Sequence, residues 1–513
     1  MSLDTIPKDL DALRRTAKQL QKAFEAGDAT AQARVAQLPG RRDGARLKRA
    51  DFLHVVAREQ GYASWPRLKA AAEADGLDVA ILRHRLGNAL FHGAHGQAEE
   101  VLRARPDVID GAFGLNCALY RSDIVEEMLA TDPALATQDS GPRRPILHLA
   151  FSRWLQRHPD LTDDMLKVAE LLHSHGADVN DGMPHEPGSD HMLSALYGAV
   201  GHGNNMALAQ WMLDHGADPN DGESLYHSTE LGHHDGLRML LKAGANPKGT
   251  NALLRAMDFH DLEAVKLLLQ HGARADDFKA GEVGGEEPWT APALHQAARR
   301  GSDAEMLALL MAHGADANAI YKGANAYAYA RVFGNPIVSK AIEAAGPVPD
   351  LTPYETLLAQ AADGDVPEGR FIDPDRLPPA YRNMIREILH LPGKLPHIQR
   401  LVALGLEYDR PDAEGLTPVQ VAGWEGLPEV LQYLLHLKPD LSHINGYGGT
   451  LLSTILHGAD NNPNRDGRDY IECLRLVLTE GVALPRRAIP FSGQPKIVAF
   501  LEDWAKAHPG QVV

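Results

Sequence analysis

Cysteine is almost absent from this chain: Cys117 and Cys473 are its two thiols in 513 residues. So sparse a pair excludes a disulfide framework. It fits burial as small hydrophobes in a reducing compartment, which is expected to be the cytoplasm. No stretch supplies 18 uninterrupted apolar residues, so no membrane-spanning helix is expected. The start, Met1-Ser2-Leu3-Asp4-Thr5-Ile6-Pro7-Lys8, lacks the basic and apolar run of an export signal. A Gly-rich phosphate loop, a helical zinc-protease motif and a nucleophile elbow are all missing. Positive charge is also short. The net charge is −17, which argues against nucleic acid as a partner, because phosphate is repelled by the chain as a whole. Residues 1–70 alone carry 14 Lys/Arg against 8 Asp/Glu, a net +6 that leaves −23 for the rest. The basic run Arg41 to Arg49 is read as a solvated helix start. A DNA or membrane contact there is the least favoured reading.

What is present is repetition. The tetrad His-Gly-Ala-Asp, or a near copy, occurs at 175–178, 215–218, 243–246, 271–274 and 313–316. Each copy closes an apolar run of helical spacing, such as Val265-Lys266-Leu267-Leu268-Leu269. Glycine there supplies a left-handed helix cap without a β-carbon penalty. The Asp or Asn two residues later suits a turn. Segments such as Pro145-Ile146-Leu147-His148 and Pro292-Ala293-Leu294-His295 begin the next helix, with proline where its missing N–H costs little. This pattern resembles the ankyrin repeat, strongly over 141–346 and weakly over the rest of 79–510. The resemblance implies an all-α solenoid of helix pairs with short hairpin loops, and a concave face that binds a protein segment or a small polar ligand. It also implies that His148 and His295 tie neighbouring repeats together and are structural.

Four divisions are expected: a helical cap at 1–78, a first array at 79–346, a Pro-rich bend at 347–380, and a second array at 381–513 ending in a cap helix near Pro495–Trp504. Amphipathic helices are expected over 8–26 and 47–59. The oligomeric state is left open.

The repeat period breaks in one region. The motif glycines Gly176, Gly216, Gly244, Gly272 and Gly314 are spaced 40, 28, 28 and 42 residues apart, against about 33 for the generic repeat. Two successive fingers are therefore short, and the fingers on either side are long. A notch over residues 181–300 is expected, walled by residues 181–192 and 276–290. Aligning Leu225, Leu253 and Leu294 puts His227, Arg255 and Gln296 in one register. Glu230, Asp258 and Arg299 fall in a second, three residues on and so on the same helix face. Ligand contacts are expected from Arg255, Tyr226, Tyr197, Gln296, Arg299, Asp190, His191 and Trp289. The competing reading makes Glu230, Arg255, Asp258 and Arg299 no more than inter-repeat salt bridges and hydrogen bonds.

An enzyme is the alternative function. His227, Glu230 and Asp258 would then supply acid–base chemistry for a small-molecule proton transfer, hydrolysis or lyase step, with Arg255 holding a carboxylate. No cofactor is expected. Zn²⁺ is a minor option, because His233 swings about 240° from His227 on an ideal helix and cannot join His227 and Glu230 on one ion.

Overall fold

The computed structural model describes residues 10–37, 47–62, 64–65, 68–69, 77–186, 188–284, 290–365, 369–462, 464–489, 492 and 494–513. Helices dominate them. The only paired strands among them are two short hairpins, Gly182–Pro184 with Met192–Ser194 and Ile320–Tyr321 with Ala324–Asn325. The fold is the all-α repeat class expected from the tetrads.

The chain divides into two compact units, Met1–Ala245 and Asn246–Val513. The first opens with Leu10–Glu25 packed on Arg49–Glu59. Between them lies Ala29–Ala36, a helix absent from the sequence expectations. Asp28 caps it by accepting from Ala31 N at 2.8 Å. Antiparallel helix pairs follow, among them Pro145–Ala150 with Thr162–Ser174 and Ser224–Ser228 with Asp235–Lys242. The second unit continues with Ala252–Asp258 against Leu262–Gln270 and ends on Pro495–Ala507. The Pro-rich stretch 347–380 lies inside this second unit and holds the helix Pro353–Asp363, closed at its start by a Thr352/Glu355 capping box.

The tetrads work as helix stops. Gly176, Gly216, Gly244, Gly272 and Gly314 all have φ between +85° and +103°, where an L side chain is strained. The preceding histidine adds a second stop. His175, His215, His271 and His313 each place Nδ1 at 2.7–2.9 Å from the carbonyl four residues back, and so bring a second partner to an acceptor that already takes the histidine's own N–H. The third copy has Ala243 there and lacks this bond. Asp178, Asp218, Asn246 and Asp316 then accept the N–H two residues on, which starts the turn.

The helix faces that meet are aliphatic. Leu196, Leu253 and Leu294 are buried, as are Leu172, Met212, Leu240, Leu268 and Leu310 on the partner helices. Each such side chain contributes about 1.5–3 kcal/mol by leaving water. His148 and His295 bond backbone carbonyls of Ser140 and Ala324, at 2.8 and 3.1 Å, as structural histidines should. Cys117 and Cys473 are free and buried, and burial pushes both thiols up, Cys473 to about 12. No helix among the described residues is long and apolar enough to cross a membrane.

Candidate functional site

The long finger of the first unit is a β-hairpin, Gly182–Pro184 paired with Met192–Ser194. It leads directly into Ala195–Tyr197 and the wider π-helical turn Gly198–His202. The next finger is short and carries no strand. Its Asp221 accepts from Glu223 N at 3.0 Å and Ser224 N at 2.8 Å, which sets the start of Ser224–Ser228. Asp221 also takes the hydroxyl of Ser194 from the hairpin at 2.5 Å. One carboxylate thus positions both fingers.

This arrangement surrounds His227 with charge. Its Nε2 lies 3.0 Å from Glu223 Oε2, and its Nδ1 lies 2.8 Å from Glu230 Oε2. A carboxylate only accepts, so both ring nitrogens must carry protons, which makes the ring an imidazolium. Burial by itself pushes the His227 pKa down. The bonds to Glu223 and Glu230 outweigh burial and lift it to about 9. Glu223 is only 3% exposed. Its other oxygen lies against Nε2 of His191, from the hairpin, without hydrogen-bond alignment.

Tyr197 closes one side, with ring centroids 4.9 Å from His227. Burial, then Glu223 and Glu230, push its hydroxyl up to about 12. This approach depends on Gly201. A β-carbon there would sit 2.7 Å from both His227 Cβ and the Tyr197 ring. Tyr226 is buried edge-on against His227 at 5.1 Å. Asp190 is exposed on the hairpin.

The second unit gathers the other expected residues. Arg255 Nη1 lies 3.1 Å from Asp258 on the same helix, and its guanidinium lies 4.8 Å from the Phe259 ring centroid. Asp258 also binds Arg300 Nε at 2.8 Å and accepts from Gln296. Burial would raise the Asp258 pKa, but Arg300, Arg255 and Arg299 hold it below the usual value. Gln296 in turn accepts from Arg299 Nε at 2.5 Å, and Arg299 reaches Glu387 at 3.6 Å.

Gln296 and Arg299 are 0% and 1% exposed. Both are expected from the sequence to touch ligand, but both side chains are enclosed in the protein and are not carried forward as ligand contacts. Arg255 stays 23% exposed at its side chain. Trp289 lies outside the described residues, as do Glu286 and Glu287 of the second long finger and residues 41–46 of the basic run.

His233 leaves the cluster, because the helix ends at Ser228; its Nε2 bonds Asn204 Oδ1 at 2.9 Å. Among the described residues no group of three His, Cys, Asp or Glu side chains is arranged to hold a metal ion.

Sequence reasoning misses Glu223 and Gly201. Glu223 is visible in principle, four residues before His227 and therefore on its helix face. Nothing local marks Gly201, whose role is the space it leaves to a neighbouring repeat.

Residues 196–279 match the family model for ankyrin repeats, in three copies. No curated protein matches the chain.

Proposed function

This chain is an ankyrin-repeat protein, and we propose that it binds a protein segment on its concave face, with a cationic side chain of that segment received at Glu223, His227 and Glu230. Ankyrin repeats support a protein-interaction role in general. The observation that carries the finer reading is the pair of carboxylates that flank His227. One imidazolium stands between the carboxylates of Glu223 and Glu230, acceptor-only groups at a partly open surface beside the ring of Tyr197. An ammonium or guanidinium complements both features.

The acid–base enzyme is the weaker alternative. A general base works best with its pKa near the working pH, and His227 at about 9 holds its proton at neutrality. A cytoplasmic location is proposed with the binding role, supported by two free, buried thiols.

The reading is tested by fluorescence anisotropy with labelled decapeptides centred on Lys, Arg, Glu or Gln. Lys and Arg peptides are expected to bind, more weakly as salt rises, and Glu230→Gln is expected to weaken them about tenfold. Equal binding of the Glu peptide, or no effect of Glu230→Gln, refutes it.

A further inference from the structure

The first unit holds a second polar group, built on two arginines. Arg143 precedes the helix Pro145–Ala150 and Arg153 follows it. Both are partly buried, and burial lowers the pKa of each. In a chain with 68 Asp and Glu, a half-buried arginine ordinarily finds a carboxylate. Neither does so among the described residues.

Arg143 lays its guanidinium 4.6 Å from the Phe91 ring centroid. Stacking occupies the face of the group and leaves its in-plane donors free. Its Nε is buried and has no hydrogen-bond partner. A buried unsatisfied donor on a charged group is costly, so its retention asks for a reason.

Arg153 is held rigidly. Its N–H bonds Leu90 O at 3.0 Å and its Nε bonds His202 O at 2.9 Å. Its stem packs over Gly93, where a β-carbon would come within 3.2 Å of Arg153 Cδ. The remaining guanidinium donors of Arg153 meet no carboxylate among the described residues.

The side chains packed around the two arginines are rings and imidazoles. His202 gives its Nε2 to Phe91 O at 2.7 Å and lies 4.2 Å from the Phe91 ring between centroids. Burial and then Arg153 push it down to about 3, so it stays neutral. His92, exposed at the end of Val79–His92, is lowered by burial, then by Arg153 and Arg143. Phe91 and Phe151 stack at 5.6 Å and 7°, making a flat apolar floor. Two fixed cations, a floor of aromatic rings and an exposed histidine therefore meet in one place.

We propose that Arg143 and Arg153 form an oxyanion site that takes the carboxylate or phosphate group of a small ligand. The terminal Nη donors of a guanidinium match either group in two parallel hydrogen bonds. Nothing in this inference depends on what binds at His227.

The test uses the full chain, titrated with sodium phosphate and, separately, with disodium succinate at constant ionic strength set by chloride. Thermal unfolding and titration calorimetry give the readouts. Saturable binding with a rising midpoint is expected for at least one anion, since a ligand of the folded state stabilises it. The stronger of the two identifies the source of the oxyanion. Arg143→Gln is expected to weaken binding about tenfold, as loss of a charge-assisted pair does. Arg143→Lys, which keeps the charge and loses the fork, should fall between. Arg157→Gln, the same charge change at an exposed residue paired with Glu99, should bind as the parent does. If neither anion gives the parent a saturable response, the site does not exist. It is equally overturned if the Arg143→Gln, Arg153→Gln double variant binds as the parent does. Should Arg143→Gln fail to fold, the parent titration and Arg143→Lys decide the matter.

Discussion

At the scale of single residues, two arginines with similar sequence contexts do different work. Arg255 is partly exposed and shares Asp258 with Arg300 and Gln296. Arg255→Ala therefore leaves Asp258 paired and is expected to cost no more than about 1 kcal/mol. Arg299 is enclosed and faces Glu387. Its removal strands a nearly buried carboxylate and should cost about 3–5 kcal/mol. Urea denaturation of the two variants checks the contrast, and equal losses would contradict it.

His227 gives a prediction with a definite sign. Its folded pKa, about 9, is above the ordinary 6.5. The resulting stability is full below pH 6.5 and is lost as pH rises through 9, by roughly 3 kcal/mol at most. Melting midpoints from pH 6 to 10 should show a decline that His227→Gln flattens.

At the scale of elements, the helix stops are the most regular feature of the chain. Four copies of the tetrad use the imidazole to bond the carbonyl four residues back. The third copy, Ala243, offers a direct experiment. The carbonyl of Met239 already accepts Ala243 N and has a second lone pair. Ala243→His is expected to add about 0.5–1 kcal/mol, and His215→Ala to remove about the same. Thermal melts of the pair decide it: a destabilising Ala243→His would mean that the histidine stop depends on its own neighbours and not on backbone geometry.

These stops were legible in the sequence, because every atom involved lies within about four residues. The starts were legible for the same reason, as with Thr352 and Glu355 or Pro418 after Thr417. Ala29–Ala36 was not, since its eight residues show only Ala31 and Val35 as buried, too few to declare a period. The enlarged finger was expected from the glycine spacing alone, but its hairpin register, Gly182 opposite Ser194 and Pro184 opposite Met192, was not.

At the scale of the whole molecule, stability in a repeat chain is close to a sum over neighbouring units. An end unit then needs a polar cover. We propose that residues 1–78 provide it, with Leu10–Glu25 and Arg49–Glu59 burying Leu13, Ala17, Leu20, Phe52 and Val56 between them. Deleting 1–78 should bare apolar surface on Val79–His92 and the helices after it, and lead to concentration-dependent aggregation. Light scattering checks this, and a truncated chain that stays monomeric with an unchanged melting midpoint would rule the cover out.

The sequence by itself determined the class of fold and where its helices stop, because caps, turns and apolar spacing are local and act within one or two helical turns. It also determined that His227 and Glu230 share a face. Tertiary structure alone decided which polar side chains are enclosed and which stay partly exposed. Gln296 and Arg299 stand in the same alignment as His227 and Glu230, yet Glu387, far along the chain, takes up Arg299 inside the protein. His191 reaches Glu223 from another finger, and Arg143 comes to rest on Phe91 from a different repeat. Burial and pairing depend on what the neighbouring repeats bring to the same point, and no spacing within one repeat records that.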